Sequence, residues 1–249
     1  MNSLVLLNGS PRGERSNSMK MLARVAEGWE CGGGQKPEVL HLAHSTGFDH
    51  AVKAFAEADT LLLGMPLYTD AMPALVKSYI EALQPRTAMA EGENPALGFL
   101  VQSGFPEASH SRPLERYLQK LARRFGSRYV GTIVRGGGES LQMMPDCANE
   151  KLWARLRTLG EQLAREGHFG AEVLRTVAGV ERMSALTLVL AKLAVHLPIV
   201  NFYWNGMLKK NGAWQRRFAA PYAPPCKLLN WAAGGPPAHR LLAPASRSR

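Results

Sequence analysis

Over the first 170 residues, short and almost wholly apolar runs alternate with segments whose apolar residues recur every three or four positions. The runs read as buried strands and the spaced segments as amphipathic helices; their alternation is the signature of a parallel sheet covered on both faces. Strands are expected at Leu4–Asn8, Glu38–Leu42, Thr60–Met65, Leu97–Gln102 and Tyr129–Val134. The first helix is expected from Asn17 through Met21, Leu22 and Val25, ending at Gly32–Gly34. Further helices are expected over His50–Ala58, Pro73–Leu83, Pro113–Phe125 and Lys151–Glu166. Pro73 suits a first helical turn, where its missing N–H is not needed. Five strands with intervening helices fit a doubly wound α/β sheet of order 2-1-3-4-5 as well as they fit half of a dinucleotide-binding fold. In either case ligands sit beyond the carboxyl ends of the strands, where the strand order reverses. The loops after strands one, three and four are therefore the places to look.

After about residue 171 the pattern changes, which divides the chain into 1–170, a helical and aromatic extension over 171–231, and a basic tail over 232–249 with loop composition. Met183–Val200 is apolar but interrupted by Lys192, His196 and Pro198. It is near the lower limit of about 17–25 residues for a membrane span, and its ionisable residues count against one. A packing or dimer helix is the favoured expectation, ahead of peripheral membrane contact through 183–200.

Composition narrows the chemistry. Apolar residues make up 46% of the 249, ample for a buried core. The formal charge of +10 favours anionic ligands. The basic excess gathers in the tail, where no acidic residue occurs from Lys209 onward; solubility is its plainest use, and no nucleic-acid partner is expected. Cys31, Cys147 and Cys226 form no C-x-x-C pair, so no disulfide framework, zinc site or iron–sulfur site is expected. His41, His44, Asp49 and His50 lack the spacing of a metal site, and none is expected. The N-terminal apolar run is shorter than the roughly 7–15 residues of a signal-peptide core, and a cytoplasmic location is expected.

The loop after strand one reads Asn8-Gly9-Ser10-Pro11-Arg12-Gly13-Glu14-Arg15-Ser16-Asn17-Ser18. It lacks both the ATP-binding and the dinucleotide glycine patterns. Its hydroxyls, arginines and helix-terminal N–H groups suit a single terminal phosphate; the plainer reading is a helix cap and a turn. Strand three runs into Met65-Pro66-Leu67-Tyr68-Thr69-Asp70-Ala71-Met72-Pro73, where Tyr68 offers a flat apolar face or merely caps the sheet edge. Strand four ends in Gln102-Ser103-Gly104-Phe105-Pro106-Glu107; Gly104 permits close backbone approach, and Phe105 either lines a pocket or belongs to the core. Gly136-Gly137-Gly138-Glu139 follows strand five at the same edge.

The stretch L-N-G-S-P-R-x(3)-S-N-S resembles the FMN phosphate loop of the NAD(P)H-dependent FMN reductase and quinone reductase group of the flavodoxin-like superfamily. The P-x-Y-x(3)-M-P segment and the G-F-P-E loop are similar to flavin-contacting segments found there. The resemblance covers residues 1 to about 145. It implies a flavodoxin-like fold, with Ser10, Arg12, Ser16, Asn17 and Ser18 around the FMN phosphate. It further implies Pro66, Leu67, Tyr68, Thr69, Ser103, Gly104 and Phe105 around the flavin ring. The implied activity passes a hydride from NADPH or NADH through FMN to a small electron acceptor such as a quinone or flavin, with no protein acid–base residue strictly required. A homodimer is the oligomer the resemblance implies. The alternatives are a non-enzymatic FMN electron carrier and a membrane- or partner-binding module with a vestigial flavin site.

Overall fold

Side chains alternate across a strand, so each apolar run has residues to give to both faces of a sheet. In the computed structural model, which describes residues 3–83, 94–194 and 202–219, they are used in this way. Strands β1 (Leu4–Asn8), β2 (Glu38–His41), β3 (Thr60–Pro66), β4 (Ala96–Gln102) and β5 (Tyr129–Arg135) form one parallel sheet of order β2-β1-β3-β4-β5. This is the doubly wound, flavodoxin-like order expected from the sequence. Leu4, Leu6, Leu62 and Leu100 join one core cluster, and Val5, Leu7, Leu61, Leu63 and Val101 join the other.

Among the described residues seven α-helices accompany the sheet: α1 (Asn17–Cys31), α2 (Ser45–Glu57), α3 (Ala74–Ala82), α4 (Arg112–Arg124), the single turn α5 (Ser140–Met143), α6 (Glu150–Glu166) and α7 (Ala171–Ala178). Residues of α1, α6 and α7 belong to the cluster of Leu4 and Leu6, and those of α2, α3 and α4 to the cluster of Val5 and Leu7. Helix α2 begins five residues before the expected His50. Thr46 and Gly47 are poor helix formers, but Phe48 packs edge-on against Tyr79 at 6.2 Å, and packing outweighs propensity.

Helices α1 and α6 meet at glycines. A Cβ on Gly28 would lie 1.8 Å from Arg157 O, and one on Gly160 would lie 2.0 Å from Val25 O. Between β4 and β5 the register shifts: Leu97 pairs with Tyr129 but Gly98 with Gly131, and Gly131 takes φ +125°.

Contacts divide the chain into two units, Met1–Ser184 and Ala185–Arg249. Helix α7 therefore lies in the sheet unit, where Val177 and Ala178 are buried. Arg112 helps to hold that end of the unit. Its Nε and Nη2 donate to Glu181 at 3.0 and 2.8 Å, and its Nη1 donates to Glu115 at 2.8 Å. These bonds hold the Glu181 carboxyl below its usual range. In the second unit, α8 (Ala185–Ala194) and α9 (Phe202–Lys210) are the described helices. Leu186, Val189, Leu190 and Leu193 fall along one side of α8. Among the described residues no helix is long and apolar enough to cross a membrane. Residues 195–200 of the apolar segment, and the tail from 220, lie outside the described residues.

Candidate functional site

Parallel register brings the carboxyl ends of β1, β3 and β4 to one edge: Asn8 pairs with Gly64, and Pro66 with Gln102. The strand order reverses beside β1, and the crevice at such a reversal is where ligands bind in open α/β sheets. A cavity opens there. Ser10, Arg12, Ser16 and Asn17 line it from the first loop, Pro66, Leu67 and Tyr68 from the third strand's end, and Gly104 from the fourth.

The first loop is bent by specific contacts. Gly9 donates its N–H to Gly64 O at 2.7 Å, and a Cβ there would lie 2.4 Å from Val76 Cγ2. Gly13 takes φ +57° and donates to Ser10 O at 3.0 Å. Asn8, fully buried, ties the loop from within. Its Nδ2 donates to Gly13 O at 2.7 Å, and its Oδ1 accepts from Ser10 N at 3.2 Å and Ser16 Oγ at 3.3 Å. Ser16 caps α1, accepting from Met19 N at 3.1 Å through Oγ and from Lys20 N at 3.1 Å through its carbonyl. The first N–H groups of a helix find no acceptor within it, so those of Asn17 and Ser18 are left to serve a ligand.

Two buried atoms at this helix start lack hydrogen-bond partners: Ser18 Oγ and Asn17 Oδ1. A buried hydroxyl without an acceptor is costly, and a phosphate oxygen would satisfy it. Asn17 Oδ1 can only accept, so it suits a hydroxyl or N–H of a ligand and not its phosphate. Asn17 Nδ2 is already engaged, donating to Gly138 O at 2.8 Å. These residues fit the phosphate end of FMN.

The glycine loop after β5 folds against the loop after β4. Gly137 N donates to Phe105 O at 2.7 Å, and Gly138 N donates to Ser103 O at 2.6 Å. A Cβ on Gly136 would lie 2.5 Å from Pro106 O, and one on Gly138 would lie 2.2 Å from Gln102 Oε1. This packing brings Glu139 to the cavity, 3.8 Å from Arg12 Nη1, with both side chains half-exposed.

Of the residues expected from the sequence, Ser10, Arg12, Ser16, Asn17, Pro66, Leu67, Tyr68 and Gly104 share the cavity; Ser18, Thr69, Ser103 and Phe105 are not in its lining. Ser18 is buried at the start of α1. Ser103 is bound into the turn, with its N–H donating to Arg135 O at 3.0 Å and its Oγ to Phe105 O at 3.2 Å. Thr69 is exposed in the turn after β3. Phe105 is 47% exposed, its ring 4.7 Å from that of His110. Gln102 lines the cavity as well, and so does Glu139 of the glycine loop expected at this edge. Asn8, which ties the loop, is marked in the sequence only as a polar residue closing an apolar strand.

Among the described residues no group of three or more His, Cys, Asp or Glu is placed to hold a metal. The model of one protein family, described by its flavodoxin-like fold, matches residues 2–163. Among solved structures, the chain is similar to an apo NADH:FMN oxidoreductase at 20% identity, covering 75% of this chain and 99% of the other with a TM-score of 0.51. It is similar to an NAD(P)H:quinone oxidoreductase from Methanothermobacter marburgensis at 17% identity, covering 66% and 98%, with a TM-score of 0.51. It is also similar to an FMN-dependent NADH-azoreductase from Bacillus anthracis at 13% identity, covering 66% and 100%, with a TM-score of 0.50. At these identities the likeness is one of fold. No curated protein sequence matches the chain.

Proposed function

The chain belongs to the flavodoxin-like fold family, and from that premise we propose that it is an FMN-dependent oxidoreductase passing electrons from NADPH or NADH to a small acceptor such as a quinone or flavin. The observation that carries this reading is the pairing of a phosphate-type cradle with an apolar wall in one crevice. Ser10 and Ser16 line it from the first loop, with Ser18 Oγ buried and unpartnered behind them in the first turn of α1, and Pro66, Leu67 and Tyr68 line it from the end of β3.

When bound, FMN would supply the redox chemistry that no side chain here provides. The chain's own part is binding and orientation. The N–H groups of Asn17 and Ser18, the hydroxyls of Ser10 and Ser18, and Arg12 would hold the phosphate. Leu67 and Tyr68 would flank the ring, and Gly104 leaves space where a Cβ would otherwise project. Tyr68, 47% exposed, and Phe105 leave apolar surface near the crevice mouth that suits a flat aromatic acceptor. The structures of an FMN oxidoreductase, a quinone oxidoreductase and an azoreductase named above support the class of chemistry by analogy of fold.

The test is a visible spectrum of the purified protein with FMN, followed by anaerobic addition of NADPH and, separately, NADH. Bound FMN whose absorbance bleaches on addition supports the reading. Tight binding without bleaching would point to an electron carrier, and no binding would overturn it.

A further inference from the structure

The carboxamide of Asn8 has one donor hydrogen and both its acceptor positions committed to the first loop, through Gly13 O, Ser10 N and Ser16 Oγ. The backbone partners fix which way it points. With oxygen and nitrogen exchanged, Gly13 O would face an oxygen and Ser10 N–H would face an NH2 group. The remaining Nδ2 hydrogen has a single partner: His41 Nδ1, 3.1 Å away at the end of β2. An NH2 group only donates, so Nδ1 must accept, and the imidazole proton must sit on Nε2. An imidazolium carries N–H on both nitrogens, and two donors would then meet.

We propose that neutral His41, protonated on Nε2, is a positioning residue for the loop 9–16, and that its protonation loosens the loop and releases FMN as the pH falls. The identity of the ligand rests on the reading above; the proton geometry does not.

The surroundings favour the neutral form. His41 is partly buried, and burial, the largest influence, lowers its pKa below 6.5. Glu14, in the 3-10 turn Gly13–Arg15, opposes this, while His44, whose ring stands edge-on at 5.9 Å, reinforces it when charged. His50 of α2 borders the same depression and is paired with Glu38 at 3.4 Å. Folding and loop order thus select one ionisation state. Because Ser10 and Ser16 line the cavity, the proton on His41 is linked to whatever the loop binds.

FMN's own phosphate takes up a proton near pH 6, so its affinity weakens in acid for any protein. His41→Asn separates the two effects: its Oδ1 can accept from Asn8 Nδ2, and it does not ionise. FMN dissociation constants, read from quenching of flavin fluorescence, would be measured from pH 5 to 8 on both full-length chains. Wild type is expected to lose about tenfold more affinity than His41→Asn over this range. Identical profiles would overturn the proposal. On the ligand-free wild type, imidazole 15N shifts should show the Nε2–H tautomer, and the Ser10 and Ser16 amides should titrate together with His41. An Nδ1–H tautomer, or loop amides indifferent to that titration, would equally overturn it. Should FMN not bind at any pH, the FMN reading fails, while the tautomer and loop titration still decide the proton geometry.

Discussion

Thr69 holds φ 56° in the turn Tyr68–Ala71, closed by Tyr68 N to Ala71 O at 2.9 Å and Ala71 N to Tyr68 O at 3.1 Å. A β-branched residue in the left-handed region is strained by about 1–3 kcal/mol. Thr69→Gly is expected to stabilise the chain by about 1 kcal/mol in urea unfolding, glycine's greater unfolded freedom offsetting the rest. Glu139 has the opposite character, an acid beside the proposed phosphate cradle and next to Arg12. Glu139→Gln removes a like charge from a ligand phosphate and frees Arg12, so FMN affinity should rise by about two- to tenfold at low salt, less in high salt. His41 also affects folding directly. With its folded pKa lowered, it contributes nothing adverse above about 6.5, and stability is lost as the pH falls through its folded pKa. Urea midpoints should therefore fall more steeply in acid for wild type than for His41→Asn. The loop from Gly9 to Ser18 was legible because its residues are contiguous and follow a strand. The part of Gln102, the pairing of Glu139 with Arg12 and the Asn8–His41 contact were not, because strand register and loop packing bring them together from distant parts of the chain.

At the scale of elements, the pattern of apolar runs located all five strands, since a strand buried on both faces leaves little room for polar residues. It did not show how α1 meets α6. Gly28 and Gly160 each lie inside a helix, where glycine reads only as a propensity cost of about 1 kcal/mol. In the fold they let one backbone lie against the other, and a Cβ on Gly160 would also come within 2.6 Å of Trp29 N. Gly160→Ala must push the helices apart, a cost of about 3 kcal/mol by overpacking despite alanine's better helix propensity. Differential scanning calorimetry should show a lowered midpoint. Because α1 starts at the loop's cap, Ser16, FMN affinity should fall as well. Helix α7 and the turn α5 were unread for a different reason: both are short, and tertiary contacts with the sheet unit hold them more than any periodicity of their own.

The whole molecule is two units, and the cavity is built entirely within the first. A chain ending at Ser184 is expected to unfold in one cooperative transition by circular dichroism and to bind FMN as the full chain does. Loss of either property would place part of the site's support in the extension. Of the 30 Lys and Arg residues nine lie beyond Ser184, whereas none of the 20 Asp and Glu residues does, so the first 184 residues carry a formal charge of only +1. A particle so near electrical balance at neutral pH has little repulsion to keep its copies apart. The extension gives the sheet unit colloidal protection: severed from it, the same fold would be most prone to precipitate near neutral pH, where the intact chain still carries a formal charge of +10.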